Sequence, residues 1–164
     1  MTVAITPLRV AVLLLAGISM LIGSTFAQSG SAPLALEGYS PVSYFTEGRP
    51  EKGKSAYAVV YKGHTYYFTD AGQQAMFEAD PEAYAPVFPV HCPYNLALGR
   101  KAKIDPTNFK IVGGRLLLFH RTEEMDGRKR WNEHGDEQEL MQRARGQWLL
   151  LRNREDELGR DRFK

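Results

Sequence analysis

The residues best suited to chemistry are His91 and Cys92, adjacent within the proline-framed stretch Pro86-Val-Phe-Pro89-Val-His-Cys-Pro93. Cys92 is the only cysteine, so the chain forms no intrachain disulfide and no multi-thiolate zinc or iron–sulfur site. One nitrogen and one sulfur donor suit copper or zinc. A complete metal site would need further ligands, and the natural candidates are His64 and His120. Tyr66, two residues from His64, joins His91 and Cys92 as a candidate contact to a small ligand.

If Pro93 opens a helix, Cys92 is its N-cap, where the helix dipole favours thiolate. Arg100, Lys101 and Lys103 follow closely and add positive potential. The opposing reading is a small buried hydrophobe, since free cysteine is among the most buried residue types. Thiol catalysis would need a base and an oxyanion donor pair within reach. His64 or His120 could be that base, yet the spacing demands neither, and there is no Cys-x-x-Cys and no phosphate-cradling glycine loop. Asp80, Glu82 and Asp105 stand at helix-start and Asp-Pro positions, where carboxylates cap. A non-catalytic binding module is therefore expected. A thiol enzyme or redox sensor, or a docking protein with an inert thiol, are the alternatives.

The elements that must position these groups follow from pattern. Tyr57–Tyr61 and His64–Thr69 are rich in β-branched and aromatic residues, and Lys62-Gly63 between them predicts a two-residue hairpin turn. Tyr57, Val59 and Tyr61 share one face of the first strand, as do His64, Tyr66 and Phe68 of the second. Asp70 with Gln73 reads as a capping box, with Met76, Phe77 and Ala79 toward the sheet and Asp80-Pro81 ending that helix and opening another. A short helix follows from Pro93 to Leu98. Asp105–Asn108 reads as a turn, and Phe109–Val112 and Arg115–His120 as a second hairpin closed by Gly113-Gly114.

Thr122 with Glu123 and Glu124 suits a helix start, with Met125 and Trp131 in that helix and Gly135 ending it. Asp136 with Glu139 opens a last helix to about Leu151, whose Leu140, Ala144, Trp148 and Leu151 recur at helical spacing. Trp131 and Trp148 either cover the aromatic hairpin or wall a pocket. The fold class is α+β: small antiparallel hairpins with short helices packed on them, plus a C-terminal two-helix extension.

Residues 1–27 have the pattern of a secretory signal peptide, with Arg9 before an apolar run and Thr25-Phe-Ala27 as the cleavage site. The alternative is an uncleaved anchor, the one route to a membrane. Residues 28–35 read as a linker, 36–121 as the α+β domain, 122–151 as the helical extension and 152–164 as a disordered charged tail. Removing 1–27 takes away Arg9 and no acidic residue, so the charge falls from +2 to +1. Nucleic acid is not an expected partner at that charge. No internal repeat of twenty or more residues is visible, which argues against a solenoid.

The runs Leu36-Glu-Gly-Tyr-Ser-Pro-Val-Ser-Tyr-Phe-Thr-Glu-Gly-Arg-Pro50, Tyr61-Lys-Gly-His-Thr-Tyr-Tyr-Phe68 and Phe77-Glu-Ala-Asp-Pro-Glu-Ala-Tyr-Ala-Pro86 together resemble the YHS domain family, in particular its exported bacterial branch. Ala97-Leu-Gly-Arg-Lys-Ala-Lys-Ile-Asp-Pro106 and Lys110-Ile-Val-Gly-Gly-Arg-Leu-Leu-Leu118 extend that likeness. The resemblance implies a periplasmic or secreted domain of a family suspected of binding metal. The cysteines of its metal-type pattern are missing from Glu37–Val42 and Phe68–Ala75, so that site does not carry over. Cys92 does match the exported branch, but Pro89-Val-His-Cys-Pro93 stands where that branch tends to have Gly-Gly-Tyr-Cys-Ala.

Overall fold

The computed structural model describes residues 32–161, with side chains through residue 154. The signal-peptide reading and the first part of the linker lie outside the described residues. The fold is α+β. Strands β1 (Lys54–Tyr61) and β2 (His64–Phe68) form one antiparallel hairpin, and β3 (Asp105–Val112) and β4 (Arg115–Phe119) form another. Lys62 (φ 46°) and Gly63 (φ 77°) make the first turn in the left-handed region, as two-residue hairpin turns of the I′ type require.

The two hairpins are built alike. β1 and β2 pair Tyr61 with His64 and Ala58 with Tyr67, then jump across a bulge to Lys54 with Phe68. β3 and β4 pair Val112 with Arg115 and Phe109 with Leu118, then jump to Asp105 with Phe119. Each residue of the second ladder stands 51 positions after its counterpart (105 − 54, 109 − 58, 119 − 68). The likeness extends upstream: Tyr39 bridges Lys52 as His91 bridges Lys103. The Ser40 amide donates to the Glu51 carbonyl at 2.8 Å, and the Cys92 amide to the Ala102 carbonyl at 2.9 Å. The chain is thus a structural repeat that the sequence reading missed. Few side chains match beyond Gly48-Arg49 with Gly99-Arg100, Lys52 with Lys103 and Phe68 with Phe119.

Each repeat lays a helix on its hairpin. In the first, α1 (Ser43–Thr46) precedes the strands and α2 (Ala71–Ala79) follows them. Asp70 accepts a hydrogen bond from the Gln73 amide and caps α2. Gln73 does not reach back to complete the box; its side chain is buried and accepts from the Ser40 hydroxyl at 2.6 Å. Phe77 is fully buried against Tyr61, Tyr66 and Phe68, at ring separations of 5.1 to 5.7 Å. Such a side chain contributes about 1.5–3 kcal/mol by burial. Met76 and Ala79 are exposed rather than inward, because Gln73 and Phe77, one turn apart, already occupy the inner face. α3 (Pro81–Tyr84) follows, capped by Asp80.

In the second repeat α4 (Pro93–Ala97) precedes the hairpin and α5 (Gly127–His134) follows it. α5 starts at Gly127 and not at Thr122, because the Asp126 carboxylate accepts from the amides of both Arg128 and Lys129. Thr122 to Met125 is a turn, so Met125 lies outside the helix. Burial opposes the charge of Asp126, but the hydrogen bonds from Asn108, Lys129 and Arg128 outweigh it and hold the carboxyl below its ordinary range. Asp105–Asn108 is the bulged start of β3 rather than a free-standing turn.

Two cores result, and β4 joins them. Leu116 and Leu118 enter the first, with Tyr66, Phe68 and Phe77. Leu117 and Phe119 enter the second, with Phe88, Cys92, Leu96 and Trp131. Buried on both faces, β4 reads as a continuous apolar run after Arg115. α6 (Glu137–Asp161) closes the second core with Leu140 and Ala144, while Trp148 and Leu151 pack at its edge. It runs ten residues beyond Leu151 (161 − 151), where a disordered tail was expected. Arg, Glu and Leu there are good helix formers and extend a helix already docked upstream. Residues 32–34 are not a free linker either. The Thr65 amide donates to the Pro33 carbonyl and Leu34 bridges Thr65, which ties this segment alongside β2.

Candidate functional site

Cys92 lies at the helix start, as expected, but its sulfur makes no capping hydrogen bond. The side chain is fully buried in the second core. Gly127 closes over it: a Cβ at that glycine would lie 2.9 Å from Sγ and 3.2 Å from the His120 carbonyl oxygen. Its counterpart in the first repeat is Ser40, also fully buried. The thiol therefore fills space. In native buffer Cys92 is expected to react with a thiol reagent at least tenfold more slowly than in denaturant; equal rates, read by absorbance, would show that the sulfur is open to solvent.

His91 and His120 both meet Lys103, whereas His64 is carried on the other hairpin. His91 rests its ring against Trp148 at 5.8 Å and bridges Lys103. The His120 ring lies 2.9 Å, through Nδ1, from the Lys103 carbonyl oxygen, and the Gly127 amide donates to the His120 backbone carbonyl. His64 opens β2 on the other hairpin, with Nδ1 3.2 Å from the Lys62 carbonyl oxygen. Among the described residues, no three His, Cys, Asp or Glu side chains group so as to hold a metal ion. The expected metal set of His91, Cys92, His64 and His120 is thus not assembled, because two hairpin ends and a buried loop carry it. Copper or zinc has no ready cage there.

What the fold does assemble is a cleft of about 410 Å³. Hairpin one contributes Tyr61, Lys62, His64 and Tyr66; the segment joining the repeats contributes Glu82 and Ala85 to Val87; β4 contributes Arg115; and α6 contributes Trp148 and Arg152. His64 and Arg115 hold equivalent places, each the first residue after its hairpin turn. The cleft is therefore where the two repeats and the last helix meet. Its size falls within the roughly 300–1,000 Å³ of small-molecule sites.

Three cationic side chains, Lys62, Arg115 and Arg152, face one carboxylate, Glu82. Lys62 Nζ lies 2.7 Å from Glu82 Oε1. That hydrogen bond holds the Glu82 carboxyl below its usual range and the Lys62 ammonium above its own, with Arg115 adding to the first effect. Tyr66 is buried, and desolvation, with Tyr61 nearby, pushes its phenol up to about 12, so it stays a neutral donor. Among the described residues the buried Arg115 Nε has no hydrogen-bond partner.

Of the residues singled out from sequence, His64, Tyr66 and Trp148 line this cleft, whereas Cys92, His120 and the buried Trp131 do not. His91 touches it only through Trp148. Arg115, Lys62 and Arg152 were not anticipated, and Glu82, expected as a capping carboxylate, pairs with Lys62 while Asp80 does the capping. The one signal was Arg115, a lone charge heading the apolar run Leu116-Leu-Leu-Phe119. No protein-family model matches this chain, and no curated protein and no solved structure matches it.

Proposed function

We propose that the chain is a non-catalytic, exported binding module that takes a small ligand in the cleft between its two repeats. The observation that carries this reading is the cleft itself, with an aromatic wall of Trp148 and Tyr66 and the buried, unpartnered Arg115 Nε. Its polar groups come from several elements and converge on one cavity, as in sites that orient a ligand. The resemblance to the exported YHS branch and the signal-like residues 1–27 support export to the periplasm or beyond. A metal ion as cargo is the second reading offered by that resemblance, but it would require His91, Cys92, His64 and His120 to converge. Enclosure of Cys92 argues against a thiol enzyme, since a nucleophile must meet its substrate.

Amide chemical-shift mapping of the purified chain tests this. A fragment set of small organic acids, amines and neutral rings is titrated, then zinc and copper ions. Shifts clustered at Tyr61–Tyr66, Glu82–Val87, Arg115 and Trp148 are expected. Shifts confined to His91, Cys92 and His120 with metal, or none at the cleft with any fragment, would overturn the reading.

A further inference from the structure

The ligand class can be narrowed further, an inference that rests on the proposed cleft reading. We propose that the cleft binds a planar aromatic anion, a ring bearing one carboxylate or phosphate group. The anion belongs to the cationic side, where three positive side chains face one negative one and Glu82 is already bonded to Lys62. That leaves an excess of two positive charges (3 − 1) on the lining.

Arg115 decides the geometry. Its Nε has no hydrogen-bond partner among the described residues and is shielded from water. A buried donor without an acceptor is costly, and more so when the group is charged. The side-on edge of a guanidinium, Nε with one terminal nitrogen, is the fork that takes both oxygens of a carboxylate or phosphate. Turning the side chain toward the open cleft presents that edge, and a bound oxyanion then supplies the acceptor that the protein does not. Lysine at this position would supply charge without the fork.

The ring belongs to the aromatic side. The Trp148 indole is half-buried and held edge-on by Phe88 at 6.4 Å and by His91 at 5.8 Å. Those contacts fix the indole against the cleft, so a ligand ring meets a surface already ordered. Pro86, Pro89 and Val87 add rigid apolar walls. Tyr66 makes no hydrogen bond through its hydroxyl among the described residues, which leaves a neutral O–H for a second ligand oxygen.

Benzoate, phenyl phosphate, benzamide and acetate, titrated by amide shift mapping against the full chain, test the assignment. The two aromatic anions should bind at the cleft at least tenfold more tightly than neutral benzamide and than ringless acetate; benzoate against phenyl phosphate tells which oxyanion is preferred. Arg115→Gln should remove the preference for anion over amide, while Arg115→Lys should keep part of it. Trp148→Leu should weaken both aromatic anions several-fold without changing that preference. Equal binding of benzoate and benzamide at the cleft would overturn the anion assignment and leave the binding module standing. Absence of all four probes from the cleft, with binding of other fragments there, would do the same. Absence of every fragment would overturn both readings. Thermal melts of each variant identify any that fail to fold, and lowered ionic strength, which should tighten benzoate but not benzamide on the wild type, reads the anion term without a substitution.

Discussion

Trp131→Ala is expected to destabilise the protein by about 3–5 kcal/mol, enough to leave the C-terminal half unfolded or loosely packed. Trp131 is fully buried and stands edge-on to Phe119 at 5.6 Å, on the face of β4 opposite the first core. Removing the indole opens a cavity bounded by β4, α5 and α6, and little can collapse into it because β4 is held from its other side. The indole N–H also donates to Glu137 Oε1 at 3.2 Å, in the first turn of α6. That carboxylate also pairs with Lys110 on β3. Trp131→Phe therefore keeps most of the packing and should cost much less, while Glu137 retains Lys110. Urea unfolding followed by circular dichroism measures both variants. A loss below about 1 kcal/mol for Trp131→Ala would mean that α5 and α6 do not share a core with β4.

How much of the fold is legible in the sequence depends on the range of each interaction. The two hairpins, their turns, the caps at Asp70 and Asp136 and the α6 stripe are local and were all legible. The helix starting at Gly127 was misplaced because Thr122-Glu123-Glu124 and Asp126 compete for one cap, and the long-range bond from Asn108, which holds the Asp126 cap in place, is not visible in the sequence. The repeat was hidden because backbone pairing and the bulge define it, whereas the first core uses Tyr44 and Phe77 where the second uses Leu96 and Trp131. The cleft was hidden for a related reason. Its lining comes from residues 61–66, 82–89, 115 and 148–152, and no spacing pattern links positions so far apart. Cys92 drew notice through its rarity, yet rarity says nothing about exposure. Its partner in the repeat, Ser40, suggests the plainer rule that this position needs a small buried side chain.

Gly53→Ala should be the second most damaging single change, at or above the upper end of the roughly 1–3 kcal/mol that overpacking costs. A methyl at Gly53 would lie 2.4 Å from the Tyr67 carbonyl carbon and 2.6 Å from the Phe68 amide nitrogen. Both are backbone atoms of β2, so no side chain can swing aside. The Gly53 amide donates to the Gly38 carbonyl at 2.8 Å, which pins the same segment from its other side. Space, not dihedral freedom, is the constraint. Gly48 offers the converse case: its φ is +65° but nothing lies within 4 Å of an added Cβ, so Gly48→Ala carries only the left-handed penalty of about 1–2 kcal/mol. Unfolding of both variants should therefore rank Gly53→Ala as the weaker protein, and the reverse order would mean that the chain passes β2 less closely. Displacing β2 also moves His64 and Tyr66, so Gly53→Ala should weaken any ligand held in the cleft. In the second repeat the residue 51 positions on (104 − 53) is Ile104, which points into the first core. One repeat thus uses this position for close backbone approach and the other uses it to fasten the two repeats together.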